Sequence, residues 1–330
     1  MDSNVSKNTF SHKFFKLGFT KENASISLKF LLKQQLVQTI DLYRQETNIE
    51  LDLEFIDQVL EDKIILFESY QETLPSKNQN HKFFLTLPIT PISYSCPIAF
   101  ILSSYFASTA PKIAEKLASL LTSNQDSILY ESWFSLSLEV VSNGWINFYL
   151  EPQTIGAWLK LQTQIDNTCA AIDLVSCQRD NTSDNLFPIQ YVHARCCCLL
   201  LLGARENLIS LKDNLFHHAN WSINQPQKIS WQNSQQNLHF SEITEYDLLL
   251  QLMMVSDSFI SIGVFCNWSK LAFNLSTAVE VFLADCRFLG KVSWKNPEQA
   301  IARLGLIALA QYWLQRILLE KLGANAPIAL

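Results

Sequence analysis

The chain has 330 residues, of which 48% are hydrophobic and 17% charged, and its net charge is -6 with a pI of about 5.6. This length suggests one large domain or two ordinary ones, with enough apolar sequence for a real core. The acidic balance argues against strong non-specific binding of nucleic acid, which normally requires a basic patch.

The first part of the chain mixes helical and alternating patterns. Apolar residues at helical spacing predict a helix over Asn23 to Glu46 and another over Cys96 to Leu121, with Pro111 opening the second part of the latter. Alternating segments predict strands at Ile64 to Tyr70, Phe83 to Leu87, Trp133 to Leu138 and Trp145 to Leu150. These elements indicate a small α+β domain over residues 1–153.

After Pro152 the pattern becomes helical. Residues 154–177 predict a linking helix, and residues 178–330 predict an all-α bundle. Its predicted helices are Tyr191 to Leu211, Ile243 to Ser258, Lys270 to Leu289 and a last helix that begins after Asn296. Asn296 and Gln299 would form a capping box, and Gly323 would end the last helix. The segment rich in Gln and Asn, Asn220 to Gln236, is the best candidate for a flexible loop.

Nothing in the sequence indicates export or a membrane span, so we expect a cytoplasmic protein. The N-terminus lacks the apolar core of a signal peptide, and the longest apolar run, Val192 to Leu202, is too short to cross a bilayer. Cys196, Cys197 and Cys198 are consecutive in a helical run and point in different directions. We therefore expect buried thiols rather than a metal site or a disulfide framework.

One passage near the end of the first part, Val141-Ser142-Asn143-Gly144-Trp145-Ile146-Asn147-Phe148, resembles a known family. It is similar to the strand, with the pattern Gly-Phe-Ile-Asn-Phe, that closes the N-terminal additional domain of arginyl-tRNA synthetases. Upstream, Ser93-Tyr94, Ala99 and the run from Pro111 to Glu115 are similar to the helix pair of that domain.

Two further passages resemble the same family, in the order that the family uses. Ile189-Gln190-Tyr191-Val192-His193-Ala194-Arg195 is close to Val-Gln-Tyr-Ala-His-Ala-Arg, which opens the DALR anticodon-binding bundle. The C-terminal passages resemble the end of that bundle; they are Phe282, Cys286-Arg287, Ala302 to Leu306 and Leu322 to Pro327. The resemblance implies an α+β N-terminal domain followed by an all-α helical bundle that is DALR anticodon-binding-like.

The catalytic domain of that family has no counterpart here. Asn147 and Tyr191 are only 44 positions apart, whereas a doubly wound parallel sheet needs several βαβ units of about 30 residues each. The chain also lacks His-x-Gly-His, Gly-x-Gly-x-x-Gly and P-loop patterns. We therefore expect that the chain is not an enzyme, that it does not charge tRNA, and that it has no cofactor.

The resemblance implies a set of residues that contact RNA. Asn143, Trp145 and Asn147 match the strand that contacts the D-loop of tRNA, and Tyr191 and Arg195 match anticodon contacts. Arg287 stands where the family has Arg or Trp beside its Cys. A structural alternative stays open: Trp145 could pack under the domain, Asn147 could satisfy a turn, and His193 is expected to be buried and bonded to backbone.

Several contacts of the family are replaced in this chain. Pro188 stands where many members have a Tyr three residues before Tyr191, and Leu283 stands for a Tyr before the Cys-Arg pair. Leu330 replaces the terminal Met that contacts the anticodon, and Ile328-Ala329 replaces Glu-Arg. Each lost aromatic stack forgoes roughly 1–3 kcal/mol. Scaffold residues therefore match the family better than the residues that read the anticodon.

Three functions remain open at this stage. The first is a non-catalytic synthetase relative that binds tRNA or a tRNA-like RNA, with no membrane and no DNA partner. The second is a protein-interaction or regulatory subunit that reuses these folds without RNA, with another protein or itself as partner. The third is a partner that assists a full-length synthetase in trans.

Overall fold

The computed structural model describes residues 27–68, 92–123, 134–164, 186–211, 223–261 and 265–330. Its helices, in chain order, are α1 Leu28–Thr47, α2 Leu53–Lys63, α3 Ile98–Leu102, α4 Ala110–Ser123, α5 Pro152–Gln164, α6 Phe187–Arg205, α7 Ile243–Ile260, α8 Trp268–Asp285, α9 Lys291–Lys295 and α10 Pro297–Arg316, followed by a π-helical turn, Ile317–Lys321. Its strands are β1 Ile65–Glu68, β2 Ile92–Cys96, β3 Leu136–Val140, β4 Ile146–Leu150, β5 Ser210–Leu211 and β6 Ile223–Gln225.

The first four strands form one antiparallel sheet in the order β1-β2-β4-β3. Tyr94 on β2 pairs with Leu66 on one side and Phe148 on the other, so these side chains share the inner face. Helix α2 contacts β2, α4 contacts β3, and α1 packs against both helices. The predicted α+β character of this part is confirmed, because one sheet face is buried under helices.

Most predicted elements of this part lie close to the observed ones. The strands predicted at Ile64, Trp133 and Trp145 correspond to β1, β3 and β4, and the break before Pro111 separates α3 from α4. The strand predicted at Phe83 lies outside the described residues. Strand β2 was missed, although its sequence Ile-Ser-Tyr-Ser-Cys alternates between apolar and polar residues as a strand does; in the fold all five residues are buried.

Helices α6, α7, α8 and α10 pack together as a bundle. The predicted stripe of the last helix, from Leu304 to Leu318, is buried throughout. Helix α6 is the one helix of the described ranges that is long and apolar enough to cross a membrane, and here it packs against α8 and α10 as a core helix does. The predicted capping box of α10 is wrong: Asn296 makes no side-chain cap, and the Gln299 amide donates to Ser241 Oγ at 3.0 Å.

The prediction of an all-α second part needs correction. Strands β5 and β6 pair in an antiparallel sheet, and Gln232 bridges to Leu238. The loop predicted to be flexible is anchored here, because Trp231 is only 3% exposed and its ring lies against Gly305. A Cβ at Gly305 would come within 2.5 Å of that ring, so the glycine makes room for the tryptophan.

Helix α5 begins where the linking helix was predicted, and residues 165–177 lie outside the described ranges. Thr154 ties its first turn to the sheet: Thr154 Oγ1 donates to Ser135 O at 2.7 Å and accepts from Ser135 N–H at 2.8 Å. The Gln232 amide donates to Pro152 O at 2.9 Å. The start of α5 is therefore fixed both to the sheet and to the loop that packs on the bundle.

A buried carboxylate joins the sheet part to the bundle. Asp257 on α7 accepts hydrogen bonds from Ser27 Oγ and from Tyr94 Oη, each at 2.7 Å, and from Lys29 N–H at 3.4 Å. Ser27 also caps α1 by accepting from Phe30 N–H at 3.0 Å. One acidic side chain thus binds the start of the first helix and the second strand at once.

A second polar group flanks this contact. Glu61 on α2 accepts from Ser261 Oγ at 2.6 Å, just beyond the end of α7, and its carboxylate lies 2.7 Å from Lys33 Nζ. Burial is the largest single influence on Glu61 and raises its pKa. The hydrogen bonds from Lys33 and Ser261 and the charges of Lys33 and Lys29 together outweigh it, so the pKa of Glu61 is lowered. The apolar residues of both parts belong to one continuous core cluster.

Asp257 makes the stability of the fold depend on pH. Burial raises its pKa from 3.8 to about 6, although the hydrogen bonds from Ser27, Tyr94 and Lys29 act in the other direction. Between these two values the folded state keeps a proton that the unfolded chain has released. The free energy of unfolding therefore falls as pH rises through this window, by on the order of 2–3 kcal/mol.

To isolate this effect, the free energy of unfolding in urea is measured for wild type and for Asp257→Asn. The measurements are made at a series of pH values across this window. We expect the stability difference, wild type minus variant, to decrease as pH rises, because asparagine does not titrate. Other titrating groups, such as His193, act on both proteins and cancel. A difference that stays constant with pH would contradict the assignment.

Candidate nucleic-acid interface

The hairpin between β3 and β4 places the first group of predicted site residues. Gly144 N–H donates to Val141 O at 2.8 Å, and Val141 N–H donates to Trp145 O at 2.9 Å. Gly144 has a φ of 103°, and a Cβ there would lie 3.0 Å from Ala110 of α4. Both the backbone conformation and the close approach to α4 therefore require glycine at this turn.

Asn143 and Asn147 have different partners. Asn143 is exposed, and its side-chain oxygen accepts from Trp145 N–H at 3.2 Å within the turn. Asn147 lies on β4 and accepts from Ser95 Oγ of β2 at 2.7 Å. Of the two asparagines it is Asn143 that satisfies the turn, while Asn147 bonds across the sheet.

Trp145, Asn147 and Tyr149 alternate along the chain with Ile146, Phe148 and Leu150. The second set is buried, and the first set is half-buried on the opposite side of β4. We call this side of the sheet the outer sheet face. Its strand residues are Ile65, Phe67, Ser93, Ser95, Ser137, Glu139, Asn147 and Tyr149, with Trp145 at its edge.

The outer sheet face is aromatic and polar but has no cation among its described strand residues. Its carboxylate, Glu139, accepts a hydrogen bond from Tyr149 Oη, and this bond raises the pKa of Tyr149. Phe67 is 46% exposed on the edge strand. A ligand on this face would be held by stacking and hydrogen bonds, because its described strand residues include no cation to pair with a phosphate.

A second exposed surface lies on α6. Tyr191 is 42% exposed and Arg195, four residues later, is exposed on the same side of the helix, as their spacing predicted. Phe187, four residues before Tyr191, is 57% exposed, and the two rings stack with centroids 6.3 Å apart and planes at 25°. We call these three residues the α6 row. Phe187 was not among the predicted site residues, although the same four-residue spacing could have indicated it.

His193 is buried on another side of α6, as expected. Its Nδ1 lies 2.9 Å from Pro327 O and its Nε2 lies 3.0 Å from the Gln311 amide nitrogen. Burial lowers the pKa of His193, while the hydrogen bond to Pro327 acts in the other direction. The Gln190 amide donates to Asn325 O at 2.9 Å. The C-terminal segment is therefore bonded to α6 by Gln190 and His193, which lie on either side of Tyr191 and Val192 in the sequence.

Arg287 follows the end of α8, and its backbone is held by a buried ion pair. Arg303 Nη1 donates to Arg287 O at 2.6 Å, and Arg303 Nε lies 2.7 Å from Glu245 Oε1. Glu245 is fully buried and also accepts from the N–H groups of Ser241 and Glu242 at the start of α7. The Arg287 side chain itself is exposed.

The structure does not bring Arg287 to the α6 row. Helix α10 runs antiparallel to α6, since Leu304 lies against Gly203 while Gln311 bonds His193. Gln311 marks the level of His193, and Arg303, which bonds Arg287, lies about 8 residues before Gln311 on α10. At 1.5 Å per residue, Arg303 is therefore about 12 Å along the helix axis from His193. Tyr191 and Arg195 form one group and Arg287 another.

The cysteines and acidic residues form no further site in the described ranges. Those parts of the chain contain no group of three or more His, Cys, Asp or Glu side chains placed to hold a metal ion. Burial raises the pKa of Cys96 and Cys196 to about 12 each, so these thiols stay protonated. Cys197 is also buried, as expected, but the expectation of a buried thiol is wrong for Cys198, which is exposed.

Comparisons with protein-family models, with curated proteins and with solved structures found no match for this chain.

Replacing Arg303 tests what holds the Arg287 loop. In Arg303→Ala, Glu245 keeps a buried charge without its cation and Arg287 O loses its donor. We expect a loss of roughly 3–5 kcal/mol in the free energy of unfolding, measured in urea. The matched control is Arg44→Ala, which breaks a partly exposed ion pair with Asp41 and should cost less than about 1 kcal/mol. Equal effects of the two substitutions would contradict the role given to Arg303.

Proposed function

We propose that this chain binds tRNA or a tRNA-like RNA without charging it, as a non-catalytic relative of arginyl-tRNA synthetases. The observation that carries the proposal is the exposed pair Tyr191 and Arg195 on α6. The ring offers a stacking surface for an unpaired base, and the guanidinium can bind a phosphate or stack in turn.

The charges of α6 support this proposal. From Phe187 to Arg205 the helix contains Arg195 and Arg205 and no Asp or Glu, although the whole chain has a net charge of -6. A polyanion approaching the α6 row meets Arg195 and no carboxylate of the helix itself, whereas Arg205, at the other end, is followed directly by the exposed Glu206. Charge complementarity is therefore local, and an acidic protein can still offer an RNA surface.

The hairpin residues Asn143, Trp145 and Asn147 would form a second contact, of a different kind. Trp145 is half-buried at the edge of the outer sheet face, where part of its indole remains accessible to a base. Arg287 would add a third contact from the far end of the bundle. In this proposal the bundle is DALR-like, the sheet part corresponds to the N-terminal additional domain, and the protein acts in the cytoplasm.

A second candidate function is docking of a protein partner on the outer sheet face. Ile65 and Phe67 are 41% and 46% exposed on the edge strand β1, and exposed apolar residues on an edge strand favour association. This function requires no RNA. A related candidate is assistance to a full-length synthetase in trans.

Fluorescence anisotropy with labelled total tRNA at low salt tests the RNA proposal. We expect wild type to bind at micromolar concentration and the double variant Tyr191→Ala/Arg195→Ala to bind at least about 10-fold more weakly, since a stack contributes roughly 1–3 kcal/mol. Trp145→Ala should weaken binding by a smaller factor. The matched control is Arg205→Ala, which removes an exposed cation from the other end of the same helix and should change affinity little.

Two outcomes would overturn the proposal: no binding by wild type at micromolar concentration, or equal binding by the double variant and the control. In the first case, light scattering after size exclusion would test the second candidate, which requires self-association or a protein partner.

A further inference from the structure

Phe187 and Tyr191 form a pair of exposed, nearly parallel rings at the start of α6. Phe187 belongs to none of the sequence passages that resemble the synthetase family. Where many members of that family have a tyrosine three residues before Tyr191, this chain has Pro188 and lacks a ring at that position. The structure places another ring four residues before Tyr191 instead.

Helix geometry makes this exchange possible. A residue three positions before Tyr191 lies about 60° from it around the helix, and a residue four positions before lies about 40° from it on the other side. Both positions are on the same side of α6 as Tyr191. Proline at 188 suits the first turn of the helix, where the missing N–H has no cost, so the chain gains a helix start and keeps an aromatic partner.

We propose that Phe187 and Tyr191 together form a stacking surface for an unpaired RNA base, with Arg195 binding the adjacent phosphate. This inference rests on the proposed function. The two rings already contact each other, so less side-chain freedom is lost when a base binds. Phe187 has no hydrogen-bonding group, and stacking accepts any base, so this surface selects unpaired bases without selecting their identity.

An apolar protein helix could also cover two exposed rings, but the surroundings favour nucleic acid. Arg195 continues the α6 row one turn beyond Tyr191, and α6 has no carboxylate. The groups from other elements that bond to Gln190 and His193, the residues flanking Tyr191 and Val192, are also neutral; they are the Gln311 amide and the Asn325 and Pro327 carbonyls. The acidic side chain on the following π-helical turn, Glu320, is paired with Arg316 at 2.6 Å.

The dependence of RNA affinity on salt concentration distinguishes the role of Phe187 from that of Arg195. Removing a phosphate-binding cation lowers the slope of log K against log salt by about one charge, whereas removing a neutral ring lowers affinity and leaves the slope unchanged. The decisive variant is Phe187→Leu, which keeps an apolar side chain of similar volume and removes the π-face. Phe187→Trp restores a ring.

The experiment measures anisotropy of labelled total tRNA and of short labelled oligomers of U, C and A, each at several salt concentrations. We expect Phe187→Leu to weaken tRNA binding by roughly 5- to 100-fold with an unchanged salt slope. The loss should be similar for the three oligomers, and Phe187→Trp should bind within about 3-fold of wild type. The matched control is Phe273→Leu, since Phe273 is 54% exposed on α8.

A second measurement does not depend on affinity. Oligomers that contain 5-iodouridine are irradiated with wild-type protein, and the cross-linked peptide is identified by mass spectrometry. A cross-link at Phe187 or Tyr191 supports the stacking surface. If wild type binds tRNA, Arg195→Ala weakens it, and Phe187→Leu matches Phe273→Leu, the inference fails while the proposed function stands. If wild type binds no RNA, both fail together.

Discussion

Asp257 is a carboxylate buried between the sheet part and the bundle, with two hydroxyl groups directed at it. Its partners come from distant places in the chain: Ser27 begins the first helix, and Tyr94 lies on β2. Tyr94 also pairs with Phe148 on β4, the strand that carries Asn147. The contact therefore fixes the direction in which the outer sheet face points relative to the bundle. The positions of both exposed surfaces depend on it.

Burying this carboxylate is unfavourable in itself, as the raised pKa of Asp257 reflects. An apolar side chain of similar size would often give equal or greater stability, so the benefit of the acid is better sought in geometry. Apolar packing tolerates small shifts and rotations, whereas hydrogen bonds of 2.7 Å restrict both distance and direction. The bond between Ser261 and Glu61 adds a second fixed point nearby. Two such points together oppose rotation of the sheet part against α7.

The elements set by local periodicity were predictable from sequence, and those set by distant contacts were not. The buried stripe of α10 and the shared side of Tyr191 and Arg195 follow from helical spacing. The anchoring of Trp231 depends on Gly305, far along the chain. Strand β2 alternates between apolar and polar residues, so its sequence did contain the signal of a strand. The separation of Arg287 from Tyr191 depends on the antiparallel packing of α6 and α10, which motif order does not encode.

Under the proposed function, the two surfaces would recognise RNA by different physical means. The α6 row combines rings with a cation, whereas the outer sheet face offers rings, an amide and a carboxylate without any described cation. Neither would read a base sequence closely. Because the buried contacts at Asp257 and Glu61 hold the two surfaces in one frame, an RNA that presents unpaired bases at both places would bind both, and the second contact would be intramolecular. Selectivity would then arise from the shape of the folded RNA, which suits a tRNA-like ligand and requires no anticodon.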